Sequence, residues 1–195
     1  MSTIIYLHGF ASVGKSAKSD ALIAEFGSDN VYAPNLPIDP DDTFKIVSDI
    51  VHNATSFPVM FVGTSLGGFW ANYFAQKFDA HCVIVNPSVD PDVTMEARVG
   101  TVNTNYLTGE DIVITPEIVQ KFKKYKDEAN TLYNGSLVNI FLAKDDDVID
   151  YNNTLKTLTY YNSLTITDDG GHRYDNKWNT VVSKLRNLLT LQEST

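Results

Sequence analysis

Residues 58–70 read PVMFVGTSLGGFW, a short apolar run that passes through a glycine-flanked serine into a helix-forming segment. Gly63, Ser65 and Gly67 satisfy the pattern G-x-S-x-G. A serine at such a corner sits in a strained strand-to-helix turn that only small neighbours permit, so its hydroxyl stands clear of the backbone. The N–H of Leu66 then points where an oxyanion forms. Alone, the pattern also describes an ordinary glycine-rich turn, and its surroundings must decide.

Outward from this point, apolar runs alternate with segments whose apolar residues recur every three or four positions, the signature of a parallel sheet covered by helices on both faces. The spacing predicts strands at 3–7, 30–33, 59–62, 82–85, 137–142 and 164–167. Helices are expected at 16–26, 42–54, 66–78, 153–161 and 177–189. Residues 87–134 break the rhythm with Asn86-Pro87 and Asp90-Pro91 turns and a helix starting at Thr115-Pro116, an N-cap followed by an N1 proline. An insertion there would lie over the C-terminal strand ends, where ligands bind in such sheets, and is expected as a short lid.

A competing motif follows the first strand. Gly9 to Ser16, GFASVGKS, matches the phosphate-loop pattern G-x-x-x-x-G-K-[ST] between a strand and a helix. A nucleotide phosphotransferase would use Lys15 on phosphates and Ser16 on magnesium, with an acid ending a neighbouring strand. No acid directly follows the runs at 59–62 or 82–85, and only Arg98, Arg173 and Arg186 are available to clamp a phosphoryl group. A bland alternative leaves Ser16 starting a helix and Lys15 in water. For a hydrolase, the same loop matters through His8-Gly9-Phe10, where the N–H of Phe10 is the second oxyanion donor and Gly9 lets the backbone approach the substrate. His8, at a strand end and ahead of the serine, is expected to order the loop.

Serine needs a base and an acid that orients the base. The chain offers both in the order Ser, acid, His, and both on loops that end strands. Asp145, Asp146 and Asp147 follow the run VNIFLA, and His172 sits in DDGGHRY after LTIT. Asp146 has the expected spacing, with Asp147 as the fallback, while the three acids together also read as a solvated turn or weak cation site. His52 on a helix and His81 at a strand start are expected to be structural.

The whole chain has 195 residues, enough for one domain with its own core. A hydrophobic content of 43% with 20% charged residues fits a globular fold. The formal charge of −9 disfavours nucleic acid and anionic membrane as partners. The run KFKKYK, residues 121–126, reads as the solvated face of an amphipathic helix. The single cysteine, Cys82, lies in an apolar run and is expected as a buried reduced thiol, which fits a cytoplasmic setting. No basic leader precedes the first strand and no apolar run is long enough to span a bilayer.

Taken together, YLHGF, SAK, PNLP, GTSLGGFWA, VNPSV, DDVIDY and GGH resemble the small bacterial esterases of the YqiA/YcfP type, an α/β-hydrolase family of about this length. The resemblance runs nearly end to end. It implies a three-layer α/β-hydrolase fold with a minimal, mostly parallel sheet of six or seven strands, esterase activity on short acyl esters, and Ser65, Asp146 and His172 as triad. Two departures stand out. Ala143 replaces a glycine common before the acid, and Asp169 adds a carboxylate near His172. The expectation is therefore a serine esterase, 1–195 as one domain with 87–134 as lid, without cofactor or metal. Oxyanion donors are Phe10 and Leu66, the substrate is held by Gly9, Phe10 and Trp70, and the partner is a small acyl ester. A thioesterase, the phosphotransferase and a non-catalytic binding protein are the alternatives, and the oligomeric state is left open.

Overall fold

The computed structural model describes residues 2–192, so residues 1 and 193–195 of the expected domain lie outside the described residues. Elements follow in the order β1 (Thr3–Leu7), α1 (Ala17–Phe26), β2 (Val31–Tyr32), α2 (Pro40–His52), β3 (Val59–Thr64), α3 (Leu66–Phe78), β4 (His81–Val85) and α4 (Pro91–Glu96). A small hairpin of β5 (Asn103–Thr104) and β6 (Asp111–Ile112) leads to α5 (Pro116–Leu132), β7 (Val138–Ala143), α6 (Tyr151–Thr157), β8 (Ser163–Thr167) and α7 (Trp178–Gln192). The main sheet has six strands in the order β2-β1-β3-β4-β7-β8, and every pairing within it is parallel.

Side chains that alternate along each central strand explain why the sequence shows continuous apolar runs. Ile5, Leu7, Phe61, Ile84, Ile140 and Leu142 point into a core beneath α2, α3 and α5. Their neighbours Ile4, Tyr6, Met60, Val62, Val83 and Phe141 point the other way, into a core closed by α1 and α7. A strand buried on both faces has no polar side to show.

Helix starts are set by local chemistry. Ser16 caps α1 through the Ser19 N–H, and Ser19 returns a bond to the Ser16 N–H, forming a capping box. Asp39 caps α2 with Pro40 in its first turn, so that helix begins two residues before the expected 42. The helix expected over 153–161 is shorter and earlier, because Asp150 caps it and the chain leaves helical geometry at Leu158, whose side chain is buried. Residues 66–78 form a helix as expected.

The stretch 87–134 proves to be two structures. α5 is a crossover helix of the α/β layer: Val119, Phe122, Tyr125 and Ala129 are buried in the core with Phe69 and Trp70. Within KFKKYK, Phe122 and Tyr125 face inward, while Lys121 pairs with Asp39 at 2.6 Å and Lys126 with Asp92 at 2.7 Å. Only α4 and the hairpin remain at the C-terminal rim of the sheet. The phosphate-loop match also dissolves into packing. A Cβ on Gly14 would stand 2.0 Å from the Ala33 carbonyl oxygen, the Gly14 N–H donates to Asn35 at 2.8 Å, Ser16 is committed to its cap, and Lys15 is exposed. No described helix is long and apolar enough to cross a membrane.

If α5 belongs to the core and the hairpin does not, truncation separates them. Phe122→Ala is expected to cost about 3–5 kcal/mol in urea denaturation, whereas Leu107→Ser, at a hairpin residue 57% exposed, stays within about 0.5 kcal/mol.

Candidate active site

Ser65 occupies the corner between β3 and α3 with φ 56° and ψ −122°, a left-handed conformation that costs an L-residue energy and is held by its surroundings. Those surroundings are backbone. A Cβ on Gly63 would lie 2.0 Å from the Gly67 carbonyl oxygen, and one on Gly67 would lie 2.0 Å from that of Leu7. Glycine at both positions lets β1, β3 and α3 close on one another. The Ser65 N–H donates to the Val85 carbonyl at 3.0 Å, and its carbonyl accepts from Ser88 at 3.0 Å. Of the five described non-glycine residues with positive φ, four fall in segments that follow strands of the main sheet: Ala11 after β1, Ser65 after β3, Asn86 after β4 and Tyr174 after β8.

Three side chains distant in sequence meet there. His172 Nε2 lies 3.0 Å from Ser65 Oγ, and His172 Nδ1 lies 2.9 Å from Asp146 Oδ2. A carboxylate only accepts, so Nδ1 carries the hydrogen and Nε2 presents its lone pair to the serine hydroxyl. Asp146 is almost wholly enclosed, with a side chain 1% exposed. Burial pushes its pKa up, but hydrogen bonds from His172 and from the N–H groups of Ile149 and Val148 outweigh this and hold the pKa below its ordinary value. Asp147, the fallback, is exposed.

The other two acids in the neighbourhood have separate tasks. Asp145 accepts from the N–H groups of Gly171 at 2.8 Å and Gly170 at 3.3 Å, which shapes the loop carrying His172. Asp169, the additional carboxylate, is turned to Lys177 at 2.7 Å. Among the described residues no group of three His, Cys, Asp or Glu is arranged to hold a metal ion.

Asn86, read in sequence only as part of an Asn-Pro turn, is the residue that fixes the relation between acid and base. Its Nδ2 donates to the carbonyls of Gly171 at 3.0 Å and His172 at 3.1 Å, and its Oδ1 accepts from Ala143 N–H at 2.9 Å. One amide, 1% exposed, thus joins the end of β4 to the end of β7 and to the histidine loop. The φ of 42° at Asn86 is the available signal, since asparagine tolerates that region better than most residues.

His8 is committed at both ring nitrogens. Nδ1–H donates to the Gly9 carbonyl at 2.8 Å and Nε2 accepts from Leu36 N–H at 2.9 Å, so the ring is neutral and ties the loop after β1 to the segment after β2. Gly9 packs against the serine: a Cβ there would stand 3.3 Å from Ser65 Cβ. The N–H groups of Phe10 and Leu66 have no protein acceptor among the described residues, and both residues line the cavity of about 370 Å³ that holds Ser65 and His172. Trp70 lines a cavity beside the one that holds Ser65. It is buried in an aromatic cluster with Tyr73 and Phe122, and the cavity it borders, of about 240 Å³, meets the first at Gly9, Phe10, Ser12 and Leu66. Cys82 is buried, and burial pushes its thiol up. Across the rim, Asn105 Nδ2 donates to the Ser12 carbonyl at 3.0 Å, fastening the hairpin segment to the loop after β1.

The model of the family described as Uncharacterised protein family (UPF0227) matches residues 3–190. The chain belongs to this family. It is the YqiA/YcfP group that the motifs resemble. A UPF0227 protein of Pectobacterium atrosepticum is 25% identical over 176 residues, covering 88% of this chain and 90% of its own. One of Vibrio cholerae has the same identity and coverage. Among solved structures, Est1E of Butyrivibrio proteoclasticus with bound ferulic acid superposes with a TM-score of 0.70 at 11% identity, over all of this chain and 90% of that one. A structure from work on LipS and LipT, metagenome-derived lipolytic enzymes, gives 0.68 at 15% identity, over 98% and 93%. The fold is that of the α/β hydrolases.

Two measurements test the supporting groups. Asn86→Ala leaves the Ala143 N–H and two carbonyls without their partner and is expected to cost about 2–4 kcal/mol in urea denaturation. Asn86→Asp, which turns an acceptor toward those carbonyls, is expected to cost at least as much. His8 is held below its ordinary value of 6.5 by burial, with the bond to Gly9 opposing. The unfolded chain therefore binds a proton that the folded chain resists, and stability falls as pH drops through about 6.5. Denaturation midpoints at pH 7.5 and 5.5 should show a smaller drop in His8→Gln than in the parent; equal drops would remove His8 as the source.

Proposed function

We propose that the protein is a serine hydrolase that cleaves carboxylic esters with short acyl chains through an acyl-enzyme intermediate. The observation that carries this is the unbroken chain from Ser65 Oγ to His172 Nε2 at 3.0 Å and from His172 Nδ1 to Asp146 at 2.9 Å, at the mouth of a cavity. Ser65 Oγ attacks the acyl carbonyl as His172 takes its proton, and the buried Asp146 stabilises the imidazolium that forms. The N–H groups of Phe10 and Leu66 receive the charge that develops on the carbonyl oxygen. Such a donor contributes about 3–4 kcal/mol in comparable sites, because it is already oriented when the charge appears. His172 returns the proton to the leaving alcohol, and water, activated by the same base, releases the acid and restores Ser65.

The positive-φ corner supports the same chemistry, since it raises the hydroxyl off the backbone at the start of α3, where unpaired N–H groups gather. Likeness of fold to Est1E and to a structure from the LipS and LipT work adds context for an ester substrate, though it bears on architecture rather than on residues.

Ser65→Ala is expected to abolish turnover of a 4-nitrophenyl short-chain ester and labelling by a fluorophosphonate while leaving the melting temperature within a few degrees. Asp146→Asn, which removes the charge that orients His172, should lower kcat by roughly 10⁴-fold. Full turnover by the Ser65→Ala protein would sink the assignment.

A further inference from the structure

The cavity at Ser65 runs against the charge of the molecule. The chain carries 24 acidic and 15 basic residues, yet the lining of this cavity includes Lys18, Arg98 and Arg173 and no aspartate or glutamate among the described residues. Two of the three cations are already answered. The Lys18 ammonium pairs with Asp175, and Arg173 Nε donates to the same carboxylate at 2.8 Å. Asp175 thus serves both.

Arg98 has no carboxylate partner among the described residues. It is held instead by neutral groups. Its guanidinium lies over the Phe10 ring, 4.7 Å from the centroid, and Nη1 donates to Asn103 Oδ1 at 3.1 Å. Asn103 is itself buried and fixed by bonds from its Nδ2 to the carbonyl and hydroxyl of Thr101, each 3.2 Å. An arene face and an amide oxygen orient a guanidinium without cancelling its charge. The side chain is half-buried, so its field is screened less than that of an exposed arginine. The neighbouring cavity has the opposite character, with Glu110 and Asp111 in its lining. An anionic group entering near Ser65 is repelled from one side and drawn to the other.

Building on the ester-hydrolase assignment, we propose that the natural substrate carries a carboxylate beside the scissile ester and that Arg98 binds this group, making it the residue that sets substrate charge preference. A single uncompensated guanidinium matches a single negative charge, and its planar fork matches the two oxygens of a carboxylate. Because the same guanidinium rests on Phe10, whose N–H is offered to the oxyanion, the site selects its substrate within one residue of the reacting carbonyl.

The test compares matched esters that differ in charge. Mono-4-nitrophenyl glutarate against 4-nitrophenyl pentanoate places the carboxylate on the acyl side, and 3-acetoxybenzoate against 3-acetoxybenzamide places it on the alcohol side. For at least one pair, kcat/KM is expected to favour the carboxylate ester by about tenfold or more, within the range of one charge-assisted hydrogen bond. Arg98→Gln should erase that preference chiefly through KM, and Arg98→Lys should restore part of it. Preference ratios at or below one for both pairs, with Ser65-dependent hydrolysis of the neutral esters intact, would overturn the role of Arg98 and leave the hydrolase standing. If Arg98 only props Phe10, both members of each pair lose rate together and the ratio does not move, which also overturns the proposal. Absence of Ser65-dependent turnover with all four esters, together with no fluorophosphonate labelling, would instead remove the hydrolase itself.

Discussion

Backbone pressed against backbone around Ser65 is the constraint on which the rest of the structure hangs. With no side chain at Gly63 or Gly67, the end of β3, the first turn of α3 and the end of β1 approach to distances that any Cβ would forbid, 2.0 Å from a carbonyl oxygen in each case. Gly68 extends the contact to Pro87, where a Cβ would come within 2.9 Å of the proline side chain. That closeness brings the loop after β1 and the loop after β4 to the same serine. The strain in Ser65, of order 1–3 kcal/mol, is sustained by a sheet buried on both faces.

Acid and base arrive at this corner by a different route. They hang from β7 and β8, at the far side of the sheet, and nothing in the elbow itself positions them. The Asn86 amide makes the connection, because it leaves β4 beside the elbow and bonds both to the end of β7 and to the loop that carries His172. Asp145 and Asp146, adjacent in the chain, divide the remaining work: one shapes the loop through two N–H groups, the other faces the imidazole.

Much of this was legible in the residues alone. Apolar runs without polar alternation announced a parallel sheet covered on both faces, and the order Ser65, Asp146, His172 on strand-ending loops announced the cluster. What escaped has physical reasons. Spacing chose Asp146 over Asp147, but the side-chain direction that turns Asp146 to His172 is set within a turn, which composition does not encode. α5 has the same apolar period whether it covers a site or closes a core, so 87–134 read as one insertion when Phe122 and Tyr125 assign half of it to the sheet. Trp70, five residues past the elbow, packs in the aromatic cluster and borders the neighbouring cavity rather than the one at Ser65, a division that sequence distance does not encode. Gly14 and Ser16 matched a phosphate cradle because close approach and helix capping favour the same small residues. Arg98 is one of three arginines in the sequence, and only the fold reveals that, of the two that line the cavity, Arg173 has a carboxylate and Arg98 has none among the described residues.

The bond from Asn105 to the Ser12 carbonyl, with Arg98 resting on Phe10, ties the stretch 98–105 to the stretch 10–12 at two points. A ligand that lodged between them would press on both, so its hold and the aim of the Phe10 N–H would be coupled in either direction. Selectivity and rate in such an arrangement share a single mechanical element, so neither can drift far in evolution without carrying the other along.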